Sequence, residues 1–519
     1  MSPAEKVHNR RWWTLLVLSL SLLVISLDNT ILNVGLPTIE RDLRASASQL
    51  EWIVDAYMLV FAGLLLTAGS LGDRLGRRKA LFTGLAVFGV GSFLSATSGS
   101  ADMLIASRAL MGLGGAFVMP STLSILTNVF PEGERGRAIG IWAAVAGLGI
   151  AIGPVAGGWL IQNASWHWIF LVNLPFTITA IAAGLFVVPE SKDPNASPLD
   201  PVGAGLSIAG LTSLLWGLIE APTRSWTDGT ILGSFGVAAA LLAVFVAWER
   251  HTAHPMLDIK LFRNPRFSAA SGSITLVFFA LMGMIFFLTQ YLQLVLGYDP
   301  LQAGVRIAPV ALGMVLGGPL SARLTERVGT KIVVATGLTL VAASLGMFST
   351  AGVDSSYGLV FAALVVMGLG MASAMAPATD SIMGSLPLSR ASVGSAVNDT
   401  TRLVGGSLGV AVLGSLLSSG YGAHMDGAVS HLPGPAADAA QNQLGGALAV
   451  AGRLGGHAGD ALAHTAQNAF VSGMHTAALV AAGVALAGAL LATLFLPARA
   501  SDQAEQGERV AAGREPVAA

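Results

Sequence analysis

The stretch GDRLGRRKALFTGL at residues 72–85 returns in a weaker form as TERVGTKIVVATGL at residues 325–338. A second run, MGLG, stands at 111–114 and again at 367–370, so the offsets are 253 residues (325 minus 72) and 256 (367 minus 111). Gly76 and Gly329 hold equivalent places in the first pair, where glycine allows a tight turn. We therefore predict two parallel halves of similar structure, a common way to build a transporter with its site between the halves.

The composition is that of a membrane protein. Apolar residues make up 53 % of the 519 residues and charged residues only 11 %, against about 25 % charged in a typical soluble domain. The 28 basic and 29 acidic residues balance without a long basic block, which argues against nucleic-acid binding. The chain has no cysteine and no G-x-x-x-x-G-K-[ST] loop for ATP, so we expect no cofactor and transport driven by an ion gradient or a partner ATPase.

The apolar residues form blocks of roughly 20, the length that crosses a bilayer as a helix. We predict fourteen spans, at 13–35, 51–70, 80–98, 103–126, 137–160, 168–188, 202–220, 230–248, 268–292, 301–322, 332–350, 357–379, 392–417 and 471–496. The predicted fold class is an all-α polytopic membrane protein. Its two six-helix bundles are predicted at 13–188 and 268–496, between an N-terminus at 1–12 and a tail at 497–519. A linker at 189–267 joins the bundles and holds the two extra spans, 202–220 and 230–248.

The basic residues predict the orientation. With the N-terminus in the cytoplasm, 21 Lys and Arg residues lie inside and four lie outside, namely Arg41, Arg44, Arg224 and Arg453. Positive charge accumulates on the cytoplasmic side of membrane proteins. Both termini are therefore predicted to be cytoplasmic, and residues 420–470 form a long external loop with amphipathic helical pieces. That loop holds spaced histidines without a carboxylate at ligand spacing, so we predict no metal site.

Two glycine-bearing stretches stand out as conformational motifs. The loop between the second and third spans combines turn-forming glycines, Gly72 and Gly76, with one acid, Asp73, that stands beside the bases Arg74 and Arg77. An acid placed there is suited to pair with an arginine or to face a helix N-terminus.

The fifth span carries the other motif, AGLGIAIGPVAGG at 146–158. Gly149, Gly153 and Gly157 share one helix face, so another helix can approach closely. Pro154 removes a backbone hydrogen bond and should bend the helix, and Gly158 completes the Gly-Pro-x-x-Gly-Gly ending.

These two motifs, together with LIASRALMGLGGA at 104–116, resemble the signature motifs of the major facilitator superfamily. Three further runs resemble its fourteen-helix drug:proton antiporters, namely LDNTILNVGLP at 27–37, WIVDAY at 52–57 and WHWIFLVNLP at 166–175. Met111 and His167 depart from the family pattern, which has Gln and Arg there. The resemblance implies proton-coupled export of a small amphipathic organic substrate across the plasma membrane. We expect the chain to act as a monomer in the lipid bilayer.

Buried charges are the candidate working residues. At about 1.5 Å per residue, Asp28, Asp55 and Arg108 all fall in the outer third of the first half. Two carboxylates close together hold protons more tightly and a nearby arginine opposes this, so the set is a candidate proton exchanger. The alternative is that one acid only neutralises Arg108. In the second half, Asp399 and Arg402 lie three residues apart on one helix face, as a coupling pair or as a structural ion pair.

Three functional classes follow from the sequence. The leading one is a proton-coupled exporter of drugs or antibiotics. An importer or a lipid or metabolite transporter of the same fold is the alternative, because fold alone does not set direction. A membrane enzyme is the third, since GGSLG at 405–409 formally matches G-x-S-x-G around Ser407. The run lies inside an apolar helix with no strand before it, so we predict no catalytic residues.

Overall fold

The computed structural model describes residues 3–192, 200–255, 257–385 and 391–496. The helices of the first half are α1 (Pro3–Leu43), α2 (Ala47–Leu75), α3 (Arg77–Ala96), α4 (Ala101–Val129), α5 (Glu132–Asn163), α6 (Trp168–Leu171) and α7 (Asn173–Val187). The linker contributes α8 (Pro201–Arg224), α9 (Gly229–His251) and a 3-10 turn at Ile259–Arg263.

The second half continues the helical chain. Its helices are α10 (Pro265–Gln290), followed by a π-turn at Tyr291–Val295, α11 (Pro300–Ile307), α12 (Pro309–Val328), α13 (Thr330–Phe348), α14 (Tyr357–Gly384), α15 (Ala391–Val429), α16 (Gly434–Asn442), α17 (Leu444–Leu454) and α18 (Gly456–Phe495). In the described part of the chain, thirteen stretches are long and apolar enough to cross a membrane. The segment predicted at 137–160 lies in α5, so all fourteen predicted segments are helical.

The helices depart in detail from several predicted segments. α1 begins at Pro3, so most of the predicted terminal segment 1–12 is helical. The segment 168–188 is split into α6 and α7, and the segment 301–322 is split into α11 and α12 at Pro309, which has no backbone N–H to continue the helix. The predicted tail 497–519 lies outside the described residues.

The two halves repeat the same local geometry. Gly76 and Gly329 both have a positive φ, 125° and 88°, as the predicted tight turns require. A Cβ on Gly84 would lie 2.8 Å from the carbonyl oxygen of Gly114, and one on Gly337 would lie 2.7 Å from that of Gly370. The same close helix contact is therefore present in both copies of the repeat.

Within each half, helices pack mainly on their own bundle. In the first half α2 and α3 pack on α4, and α1 packs on α5; in the second, α10 packs on α15 and α13 on α14. The linker helix α8 packs on α9, α2 and α15, so it lies beside the boundary between the halves. Large apolar side chains such as Phe186, Val315 and Leu494 are exposed, as expected for a surface that faces lipid.

The segment 420–470 is more ordered than a loop. α15 extends to Val429 and α18 begins at Gly456, with α16 and α17 between them. Leu444, Ala447 and Val450 of α17 are buried, and the hydroxyl of Tyr421 donates to the carbonyl of Ala440 at 2.8 Å. These contacts fold the segment into a helical cap that packs on α18 and also touches α1.

Candidate translocation site

Asp28 of α1 and Arg108 of α4 form a buried ion pair. Arg108 Nη1 lies 2.5 Å from Asp28 Oδ2, and the side chains are 2 % and 0 % exposed. Arg108 Nε also donates to the carbonyl of Ile53 at 3.2 Å, and the guanidinium lies 4.4 Å from the ring centre of Tyr57. The arginine therefore joins α1, α2 and α4 and has a partner for its charge.

The second oxygen of Asp28 is also bound. Asn173 Nδ2 donates to Asp28 Oδ1 and to the hydroxyl of Ser92, both at 3.1 Å. Ser92 in turn donates to the carbonyl of Phe170 at 2.7 Å. This network explains the polar Asn173 in the run WHWIFLVNLP, which sequence reasoning did not assign to the site.

Asp55 belongs to a different cluster. It is fully buried, and its Oδ1 accepts a hydrogen bond of 2.8 Å from Ser407 of α15. Tyr57, only two residues along α2, faces Arg108, and two residues turn a helix by about 200°. The expected exchanger of two adjacent carboxylates and one arginine is therefore not assembled; the structure pairs Asp28 with Arg108 and directs Asp55 toward the second half.

The acid and base of the second half are loosely paired. Arg402 Nη1 lies 4.0 Å from Asp399 Oδ1, and the two side chains are partly exposed. The guanidinium of Arg402 lies 5.6 Å from the ring centre of Phe278 on α10. Asp399 and Arg402 therefore share a helix face as predicted, but their charged groups are farther apart than the two atoms of a hydrogen bond.

The first motif forms a compact turn. Arg77 Nε lies 2.6 Å from Asp73 Oδ1, and Arg77 Nη1 donates to the carbonyl of Ser124 on α4 at 3.5 Å. Gly72 faces Ala80 across the turn, and a Cβ on Gly76 would lie 2.7 Å from Glu190 Oε1. The side chain of Arg74 is exposed.

The glycines of the second motif lie against α1. A Cβ on Gly149 would come within 3.1 Å of the carbonyl oxygen of Leu23, and one on Gly157 within 2.8 Å of that of Ile31. Gly153, between them, faces Thr30 just as closely. Small residues at this spacing allow the two helix backbones to approach one another.

The two halves meet at one end, which we name the outer contact; the predicted topology places it outside. Gly158 of α5 faces the backbone of Pro300, and Gly304 of α11 faces the carbonyl of Pro154. Gln293 Nε2 donates to the carbonyl of Val34 at 2.9 Å. Across the interface from these residues, the Asp55–Ser407 hydrogen bond and the packing of α2 on α15 form the second part of the outer contact.

Two further residues were missed as site residues by sequence reasoning. Glu51 is buried beside the outer contact; its spacing of four from Asp55 is the signal that could have revealed it. Ser407 was considered only as a formal nucleophile. It lies in the middle of α15, and its hydroxyl serves a carboxylate of the other half.

Comparison with known proteins places this fold in a family. The model of the Major Facilitator Superfamily matches residues 18–410. The fold resembles the crystal structure of a bacterial homolog of the human lysosomal transporter Spinster in an inward-facing, unoccupied conformation, with a TM-score of 0.65 at 20 % identity over 94 % of this chain and 98 % of that one.

Two relatives are similar over nearly their whole length. The tetracenomycin C resistance and export protein of Streptomyces glaucescens is 36 % identical over 97 % of this chain and 95 % of its own. The multidrug efflux pump LfrA of Mycolicibacterium smegmatis is 37 % identical over 93 % of this chain and 96 % of its own. The predicted fold class is confirmed, and the chain belongs to the major facilitator superfamily.

Proposed function

We propose that this chain exports amphipathic drugs or antibiotics across the plasma membrane in exchange for protons. The observation that carries the proposal is near full-length similarity to proteins named for antibiotic export and multidrug efflux. The alternatives of an importer and of a lipid or metabolite transporter share the fold, but the similarity to resistance and efflux proteins favours neither of them. Membership in the major facilitator superfamily supports a transporter over a membrane enzyme.

The proton supplies the driving force in this proposal. One proton that moves through 100 mV releases about 2.3 kcal/mol, which sustains about a 50-fold substrate gradient. The exchange requires membrane-embedded groups that gain and lose protons. The candidates are Asp28, Asp55 and Asp399. Arg108 opposes protonation of Asp28, and Arg402 opposes protonation of Asp399. Membrane-embedded acids of this kind are costly unless they are paired or hydrated, which supports a working role for them.

The two glycine motifs support the conformational part of the cycle. In this proposal the Asp73–Arg77 turn and the close α1–α5 contact hold the first bundle rigid, and the outer contact opens and closes as the two bundles rock. The substrate then binds between the halves from the inner side and leaves on the outer side when the outer contact separates.

A drug-susceptibility assay tests the export direction. Expression in a sensitive bacterial host should raise the inhibitory concentration of at least one compound in a panel of methyl viologen, puromycin and cationic dyes by about fourfold or more. A protonophore should abolish the accompanying efflux of a fluorescent dye. Increased sensitivity together with greater dye accumulation would instead indicate an importer.

The orientation is tested by cysteine labelling, because the chain has no cysteine of its own. Ser430→Cys lies on the exposed cap and should react with a membrane-impermeant maleimide in intact cells. His251→Cys is the matched control. It lies exposed at the C-terminal end of α9, on the predicted cytoplasmic side, and should react only after permeabilisation. The reverse pattern would overturn the proposed topology.

A further inference from the structure

Glu51 and Asp55 lie one turn apart on the same face of α2 and are 1 % and 0 % exposed. Glu51 Oε2 and Asp55 Oδ2 make no hydrogen bond with any described part of the chain. Residues four apart on a helix are neighbours. The face of α2 that meets the second half therefore presents two adjacent carboxylates with unsatisfied oxygens.

α15 of the second half covers both carboxylates. A Cβ on Gly414 would lie 2.8 Å from Glu51 Oε1, so the carboxylate of Glu51 packs directly against α15 at this glycine. About two turns earlier along α15, Ser407 donates to Asp55 Oδ1 at 2.8 Å. The contact of α2 with α15 therefore covers both acids.

The surrounding charges do not compensate them. On α8, Glu220 adds a third negative group near Glu51, and Arg224 Nε lies 3.7 Å from Glu220 itself. On α4, Arg108 is bound to Asp28, and Asp102 accepts a hydrogen bond from Gln49. The covering stretch of α15, residues 403–420, contains no titratable side chain.

Two ionised carboxylates in such a contact would repel each other without water to screen them. A buried charge without a partner is so costly that the group takes up a proton instead. We propose that Glu51 and Asp55 form a shared proton-binding site at the outer contact, which must gain a proton before α2 can close on α15.

This site would connect proton entry to the motion of the two halves. When the outer contact opens, both carboxylates face external water and can ionise or collect a proton from outside. When a proton is bound, the outer contact can close and the inner side can open. The inference rests on the proposed proton-coupled function, and it makes Glu51 a proton-binding residue together with Asp55.

The test measures the outer contact directly. In the full-length protein, spin labels on Gly99→Cys and Asp354→Cys would report the outer separation by double electron–electron resonance. Both positions are exposed, in the α3–α4 and α13–α14 connections. In lipid nanodiscs without substrate, the closed fraction should rise as the pH falls from 8 to 5.

Glu51→Gln and Asp55→Asn should each weaken this pH response, and the double variant should remain closed at every pH. Glu249→Gln, which alters a buried carboxylate of α9 away from the outer contact, is the matched control and should behave as wild type. Gly414→Ala should lower the closed fraction at all pH values and leave the pH dependence in place.

A wild-type pH response in both single variants would overturn the proposal. Because the measurement needs no transported compound, its outcome is separate from that of the export assay. A flat response in a protein that still exports drugs would refute the shared site alone, and a normal response in a protein that exports nothing would refute the proposed function alone.

Discussion

Arg108→Ala is expected to abolish export and to lower the free energy of unfolding by about 3–5 kcal/mol, the usual cost of removing one member of a buried ion pair. The guanidinium is 2.5 Å from Asp28 and also binds the carbonyl of Ile53. Among the described residues, its loss leaves Asn173 as the remaining side-chain hydrogen-bond donor to a fully buried carboxylate. Arg108→Lys should be intermediate, because an ammonium cannot reproduce the contacts of the planar guanidinium.

Thermal unfolding in detergent, together with efflux from cells, checks this expectation. The variant Asp28→Asn/Arg108→Gln removes both charges and should regain most of the lost stability. If it also regains export, Asp28 serves only to neutralise Arg108. If it stays inactive while folded, Asp28 takes part in coupling. Wild-type stability and full export in Arg108→Ala would contradict the geometry of the pair.

Gly158→Leu is expected to reduce export at least about tenfold while the protein remains folded. A Cβ on Gly158 would lie 2.6 Å from Leu301 Cα and 2.8 Å from the carbonyl carbon of Pro300. These are backbone atoms of the other half and cannot rotate away. The variant should therefore prevent closure of the outer contact without disturbing either bundle.

Gly236→Leu is the matched control, because nothing lies within 4 Å of a Cβ at that exposed position of α9. It should export at the wild-type rate. Gly158→Leu and Gly236→Leu should each elute as a single species from a size-exclusion column. Their midpoints of thermal unfolding should be similar. Wild-type export by Gly158→Leu would mean that the outer contact seen here is not part of the transport cycle.

The repeat and the spans could be predicted from sequence because each has a local cause. Gly76 and Gly329 mark turns that need a positive φ, and apolar blocks of bilayer length become helices. The segment 420–470 was harder, since its Ala- and Gly-rich helices lack a strong apolar period. Its fold depends on packing with α18 and the outer end of α1.

The partners of the charged residues could not be predicted in the same way. Helix spacing gave Asp28, Asp55 and Arg108 similar depths, and depth does not decide which way a side chain points around its helix. Asp55 turns toward Ser407, 352 residues away. Glu51 lay at the expected start of a span, whereas α2 begins four residues earlier at Ala47, so Glu51 is inside the helix and buried.

Proton exchange in reconstituted vesicles tests the central claim most directly. Purified protein in liposomes with an acidic lumen would be given the compound against which it protects cells, with a pH-sensitive dye trapped inside. Proton-coupled antiport predicts that the compound accumulates at least about tenfold more than without the gradient, and that its addition makes the lumen more alkaline. Equal uptake with and without the pH gradient, and no change in lumenal pH, would contradict the account.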